Sequence, residues 1–299
     1  MTSDNSVAFI GLGAMGLPMA ARLVATGVAV RGFDLSETAR ADLTAAGGQA
    51  FPSPAEAVVG SDVVVLMLPD STVVEAVMAQ IRGSLKPATL VIDMSSSEPL
   101  RTRQLADDLR TREGVDLVDA PVSGGVKGAR SGTLTIMVGG QPGQVDRARG
   151  LLEHLGVVKH AGPVGAGHAV KALNNLLSAT HLWVTSEAML AGERFGLDPS
   201  VMLEIFNGSS GRSGSTENKW PNFILPGTFD SGFALRLMLK DMRIAADLAR
   251  QVGLPSALGE AAIEQWARAD QRLGPGADHT EVARCVADRS SPEQPDQSD

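Results

Sequence analysis

The chain has 299 residues, 43% of them hydrophobic, which is enough apolar material to bury two ordinary domain cores. Its net charge of -8 and isoelectric point near 5.2 exclude the basic surface that nucleic acid or an anionic membrane would select, so the expected partners are small molecules. The single cysteine, Cys285, excludes an internal disulfide and a cysteine metal cluster.

Residues 1–6 are polar without a basic n-region, and no run approaches eighteen uninterrupted apolar residues, so a soluble protein with a cytoplasmic address is expected. The polar tail, residues 290–299, reads as disordered. The first element is a short apolar strand over residues 7–10. It runs directly into Gly11, Leu12, Gly13, Ala14, Met15 and Gly16, followed by a helical pattern over 17–26. This is G-x-G-x-x-G between a strand and a helix, the context that a dinucleotide fingerprint requires. The first glycine permits the turn, the second lets the backbone approach a pyrophosphate, and the third allows close packing of helix on strand. A second strand over 28–33 ends at Asp34, where a Rossmann unit places the carboxylate that holds an adenosine ribose 2'-hydroxyl. That carboxylate would repel a 2'-phosphate, so NAD is expected over NADP, with Arg31 and Arg40 nearby leaving NADP possible. The alternative for Asp34 is a cap on the helix from Ser36 onward.

Helical patterns over 39–46, 72–82 and 100–112 then alternate with strand patterns over 63–68, 90–92 and 115–118. Such alternation predicts right-handed crossovers and a parallel sheet buried on both faces, a doubly wound α/β domain. Loops at the carboxyl ends of its strands, residues 68–70, 93–97 and 119–125, are expected to line the ligand crevice. In the last of these, Ser123 precedes Gly124 and Gly125, whose unobstructed amides suit a carboxylate; the alternative is an ordinary turn before a strand over 134–138. A glycine-rich approach from Gly162 then leads into a long helical pattern over 166–195 that carries Lys171 and Asn175. At i and i+4 these two project from one face, where an ammonium and a carboxamide can address one small molecule. Taken alone, the stretch also fits a helix with a solvated lysine. Further helical patterns cover 199–207, 235–252, 256–269 and 280–287, with no comparable strand run. The predicted organisation is a Rossmann-type domain over 1–163, an all-α domain over 164–288 and a tail over 289–299.

At this point the chain resembles the β-hydroxyacid dehydrogenase family. Residues 9–20 are similar to its cofactor signature, 119–125 to its substrate signature, 162–175 to its catalytic signature and 240–245 to a later cofactor-contact motif. The resemblance implies that Lys171 is the acid/base, that Asn175 helps to hold the substrate, and that Ser123, Gly124 and Gly125 receive its carboxylate. It places Leu68, Pro69, Ser96 and Lys240 near the cofactor, Ser96 standing where relatives often have threonine, and Phe233 where relatives have an aromatic beside the substrate, although burial in the core explains Phe233 equally well. It also implies a long helix linking the two halves and assembly as a homodimer or homotetramer.

Oxidising an alcohol removes a hydride from carbon and a proton from the hydroxyl in a coordinated way. Lys171 is the expected base, and an ordinary lysine near pKa ~10.4 would need burial or nearby positive charge, from Lys240 or the nicotinamide, to serve. His168 is its competitor on the same helix. Asp241 is expected to pair with Lys240 or Arg243, the alternative being contact with the substrate. Arg212 and Lys219, in the small-residue loop over 207–220, suit an extra anionic group on a substrate, although such a loop is also the composition of a mobile one. The remaining histidines lack metal-ligand spacing, so no metal is expected. Tyrosine is absent, which excludes a tyrosine proton donor. The expected activity is hydride transfer between NAD(P) and a small 3-hydroxy acid such as 3-hydroxyisobutyrate, or its semialdehyde. The alternatives are an aldehyde or imine reductase of the same fold and a non-catalytic NAD(P)-binding protein, and Lys171 argues against the last two.

Overall fold

The computed structural model describes residues 6–289, so the tail expected to be disordered lies outside the described residues. The chain divides into two compact units, 1–171 and 172–299, with the division falling inside one helix.

The strands of the first unit are β1 (Ser6–Ile10), β2 (Ala29–Phe33), β3 (Gln49–Ala50), β4 (Val63–Leu66), β5 (Leu90–Asp93), β6 (Asp116–Asp119), β7 (Val122–Ser123), β8 (Leu134–Gly139) and β9 (Gly156–Gly162). Its helices are α1 (Gly16–Ala25), α2 (Glu37–Ala45), α3 (Pro54–Val58), α4 (Ser71–Ile81), α5 (Pro99–Glu113), α6 (Gly125–Ser131) and α7 (Pro142–Leu152). The strand order is β3-β2-β1-β4-β5-β6-β8-β7, with β9 paired to β8. Alternation along each strand sorts the core. Val7 and Phe9 of β1 join Val65, Leu90, Ile92 and Val118 on one face, whereas Ala8 and Ile10 join Val64, Leu66, Val91 and Leu117 on the other. The chain reverses its direction of build between β1 and β4, so the loops leaving those two strands open on the switch point where such sheets bind ligands.

The sheet departs from the all-parallel expectation at one edge. β3 to β6 are parallel, but β8 runs antiparallel to β6 and to β7. Only Ala120 and Pro121 separate β6 from β7, so the two run on in the same sense, and β8 returns against both after α6. β9 then returns parallel to β8 after the α7 crossover.

The remaining helices are α8 (Ala166–Phe195), α9 (Pro199–Asn207), α10 (Leu235–Gln251), α11 (Ala257–Leu273) and α12 (Val282–Arg289). The second unit, which takes up α8 after Lys171, is helical, and its core gathers Trp183, Trp220, Met242 and Trp266 with small alanines between them. The loop over 207–220 is less loop than its composition predicts: from Ser215 the chain winds into a π-helical segment, Ser215–Ile224, that includes Pro221. Buried Thr216, Trp220 and Ile224 supply the apolar and capping contacts that hold it.

Candidate active site

The glycine-rich turn after β1 is built as the spacing requires. A methyl at Gly11 would lie 2.2 Å from the Met67 carbonyl and one at Gly16 would lie 1.9 Å from the Gly11 carbonyl, so both positions exclude any side chain. A methyl at Gly13 would meet nothing within 4 Å, which leaves the backbone there open to an approaching group. Helix α1 starts at Gly16 without a side-chain cap, so its N-terminal amides and dipole face this opening. Asp34 stands beside it: one carboxylate oxygen accepts from Leu12 N at 2.7 Å and the other from Ser36 N at 2.8 Å. The cap of α2 is Ser36, whose hydroxyl accepts from Ala39 N. Arg31 is turned away, donating to the carbonyls of Ala57 and Glu56 and lying over the Phe51 ring. Arg40 donates to the Asp34 carbonyl at 2.6 Å. Open glycine backbone, uncapped helix terminus and acceptor carboxylate together fit a dinucleotide with an unphosphorylated ribose. Leu68 N, after β4, donates to Ser95 Oγ at 2.9 Å and so joins its loop to the loop of half-buried Ser96 after β5.

At the end of β6, Asp119 is fully buried. Its two oxygens accept from Gly165 N at 2.7 Å and His168 N at 2.8 Å, which satisfies the first turn of α8 from a distant strand. Burial pushes this carboxyl up, against the charge of His168 and the two amides that favour its ionised form. Helix and sheet touch here: a methyl at Gly167 would lie 2.2 Å from the Met137 carbonyl and 2.9 Å from an Asp119 oxygen. His168 is buried with Nδ1 2.9 Å from Thr102 Oγ1, and its Nε2 lies 3.8 Å from Asp93. That environment is structural rather than one for shuttling a substrate proton. Lys171, one turn on, is buried to 8% exposure. From the same strand end the chain enters Ser123, half-buried, and then Gly124 and Gly125 at φ +129° and +61°, a pair of backbone conformations that side chains resist.

In the second unit Asn175 is buried and donates through Nδ2 to Asp241 Oδ2 at 2.6 Å, while its Oδ1 accepts from Asn174. Asp241 is also 3.2 Å from Lys240 Nζ. The carboxylate therefore orients the amide and holds the lysine, the structural part expected of it. Phe233 packs edge-on against His279 with ring centroids 5.6 Å apart. That support is anchored in turn by Asp278, which accepts from Ser231 Oγ, Gly232 N, Phe233 N and Thr280 N. Burial opposes ionisation of Asp278, but hydrogen bonds from His279, Thr280 and Ser231 hold its carboxyl well below the usual range. Burial also pushes the His279 imidazole down.

Two family models divide the chain between them. One, described as the NAD binding domain of 6-phosphogluconate dehydrogenase, matches residues 6–162; the other, described as NAD-binding of NADP-dependent 3-hydroxyisobutyrate dehydrogenase, matches residues 165–286. The chain belongs to the β-hydroxyacid dehydrogenase family. Among its relatives is a 2-(hydroxymethyl)glutarate dehydrogenase of Eubacterium barkeri, 41% identical over 259 residues, covering 85% of this chain and 86% of the relative. An NAD-dependent L-serine dehydrogenase of Pseudomonas aeruginosa is 41% identical over 272 residues, covering 88% and 91%. The solved structure of a Mycobacterium tuberculosis 3-hydroxyisobutyrate dehydrogenase with L-serine superposes with a TM-score of 0.90 at 35% identity, covering 94% of this chain and 99% of that one.

As a β-hydroxyacid dehydrogenase the chain carries an NAD-binding domain of the Rossmann type. To the residues given a role by the motifs, the structure adds Asp119, Asp278 and His279, whose part no local pattern marks. Each acts on a partner far along the chain or through a burial that composition does not disclose. Asp119 lies inside a quoted motif, yet its spacing to Gly165 carries no periodic signal.

Proposed function

We propose that this β-hydroxyacid dehydrogenase oxidises a small 3-hydroxy carboxylic acid to its semialdehyde with NAD, or runs the reverse reduction, with Lys171 as the general acid/base. The observation that carries this reading is Lys171 itself: a lysine withheld from solvent on a helix whose first turn is tied to the sheet by Asp119. A lysine in that setting has no role as a solubilising surface charge. The relatives named above act, by their names, on hydroxy acids that share a hydroxymethyl group or a 3-hydroxyl, and the reading follows that common chemistry.

The nicotinamide, when bound, supplies the hydride acceptor or donor. Gly11, Leu12, Gly13, Ala14, Met15 and Gly16 receive the pyrophosphate, Asp34 the adenosine ribose, and Leu68, Pro69, Ser96 and Lys240 complete the cofactor contacts. Ser123, Gly124 and Gly125 hold the substrate carboxylate, and Phe233 packs against its carbon chain. In oxidation Lys171 takes the hydroxyl proton; in reduction the same ammonium returns a proton to the carbonyl oxygen, so no second acid is needed. Asn175 donates to or accepts from the reacting oxygen, its amide held by Asp241.

We place the enzyme in the cytoplasm as a homodimer or homotetramer. Along α8, Leu173, Leu177 and Val184 are 42%, 59% and 53% exposed on one side, a run of apolar surface that assembly would cover. Light scattering should give a multiple of 31.1 kDa; a monomer at micromolar concentration removes this part of the reading.

The deciding experiment follows nicotinamide absorbance with 3-hydroxyisobutyrate, L-serine, 3-hydroxypropionate and 2-(hydroxymethyl)glutarate, using NAD and NADP. Lys171→Ala should lower kcat/KM by about 10²–10⁴-fold, the usual contribution of a positioned acid/base. A variant that keeps wild-type activity overturns the mechanism.

A further inference from the structure

Two cations in the segment after α9 suit an extra anionic group, and the structure separates them. Arg212 has a side chain 63% exposed and is paired with Glu217 at 2.6 Å, so its charge is spent on the surface. Lys219 points the other way. Half-buried on the π-helical segment, between buried Thr216 and Trp220, it donates through Nζ to Ser178 Oγ at 2.6 Å.

Ser178 lies on α8, three residues after Asn175 and seven after Lys171, which sets all three on one helical face. The rise from Asn175 to Ser178 is about 4.5 Å, the span of a short aliphatic chain. A hydroxyl that accepts from Lys219 retains its own O–H to donate, so Ser178 and Lys219 together offer a neutral and a charged donor to one carboxylate. The Lys219 charge adds to the burial that pushes the imidazole of His279 down, and His279 packs edge-on against Phe233. Lysine and serine therefore lie in the second unit on the face that presents Asn175.

We infer that Lys219 and Ser178 form a subsite for a second carboxylate, and that the preferred substrates are 3-hydroxy acids bearing a distal carboxylate. Lys219 is then a specificity-determining residue: it selects the diacid by a charge-assisted hydrogen bond that a monocarboxylic substrate cannot make.

This inference rests on the hydroxyacid dehydrogenase reading above. It is tested by kcat and KM for 2-(hydroxymethyl)glutarate as the diacid and 3-hydroxyisobutyrate as the monoacid, with wild type, Lys219→Met, Lys219→Arg and Ser178→Ala. The wild type should favour the diacid in kcat/KM by about ten- to hundredfold, the value of one hydrogen bond to a charged group. Lys219→Met should bring that ratio close to unity through a raised KM for the diacid, and Lys219→Arg should retain most of it. A bond that only fastens the segment to α8 predicts instead an equal loss on both acids, and that result overturns the subsite, as does a wild type that favours the monoacid. If Lys219→Met does not fold, thermal melting of the wild type and of Ser178→Ala decides. The diacid should raise the melting temperature of the wild type more than the monoacid does, and Ser178→Ala should narrow that gap; equal shifts overturn the proposal. Absence of turnover with every acid and both cofactors withdraws the dehydrogenase reading and this one together, whereas turnover confined to monoacids withdraws the subsite alone.

Discussion

Asp34 holds the glycine-rich turn through Leu12 N, and we propose that the same carboxylate also takes a ribose hydroxyl. The second task is legible in the spacing after the glycines, whereas the first is not, because a side chain reaching back to a backbone amide in another loop has no periodicity. Asp34→Asn removes the negative charge and keeps one acceptor. Kinetics with both cofactors should show the NAD preference narrowing by about tenfold or more, the equivalent of about 1.4 kcal/mol; an unchanged preference takes Asp34 out of the ribose site. Lys171 and Asn175 were likewise readable as a pair on one face. Their burial, and the hold of Asp241 on Asn175, required coordinates. The same limit applies to Lys219, whose direction toward Ser178 and away from Glu217 no composition rule distinguishes from that of Arg212.

Among the elements, α8 shows where sequence reasoning succeeds and where it stops. Its extent, Ala166–Phe195, follows from unbroken helical periodicity, but what begins it does not. The first turn is satisfied by a carboxylate from β6 and seats Gly167 against the backbone of β8. Asp119→Asn can accept only one of the two amides and should lower stability by about 1–3 kcal/mol, read as a fall in melting temperature. Gly167→Ala should cost at least as much and lower kcat/KM with it, since helix and Lys171 must both shift to admit a methyl 2.2 Å from the Met137 carbonyl. A Gly167→Ala variant with wild-type melting and activity would show that the contact is looser than drawn. The π-helical segment is the opposite case: its serines, glycines and proline carry every mark of a loop, and only the buried Thr216, Trp220 and Ile224 that it packs inward make it helical.

For the whole molecule, the alternation of strand and helix was enough to foresee a doubly wound sheet followed by a helical unit. The antiparallel edge at β7 and β8 escaped because β7 is only two residues long and lies inside a motif that reads as a loop. Response to pH is also a property of the whole. His279 and Asp278 both titrate lower in the folded chain than in the unfolded one, so each adds stability above its unfolded value that is lost as pH falls. The imidazole contribution should fade first, below about pH 6.5, and the carboxylate contribution below about pH 3.9. Asp119 has the opposite sign: its raised value favours the fold at low pH and that favour is lost as pH rises through it. Calorimetry should therefore show the melting temperature declining from pH 7 to 5, with His279→Gln flattening the decline; parallel curves would remove His279 as its source.

The clamp at the base of α8 makes chain length there unforgiving. One residue slipped between His168 and Lys171 would swing the amine about 100° around the helix axis and lift it about 1.5 Å, leaving the clamp intact and the lysine aimed elsewhere. The exposed connection over 208–212 has no such reference point, and extra residues there change only its contour. Descendants of this chain should accordingly vary in length after α9 and keep the count from Asp119's two amides to the lysine unaltered.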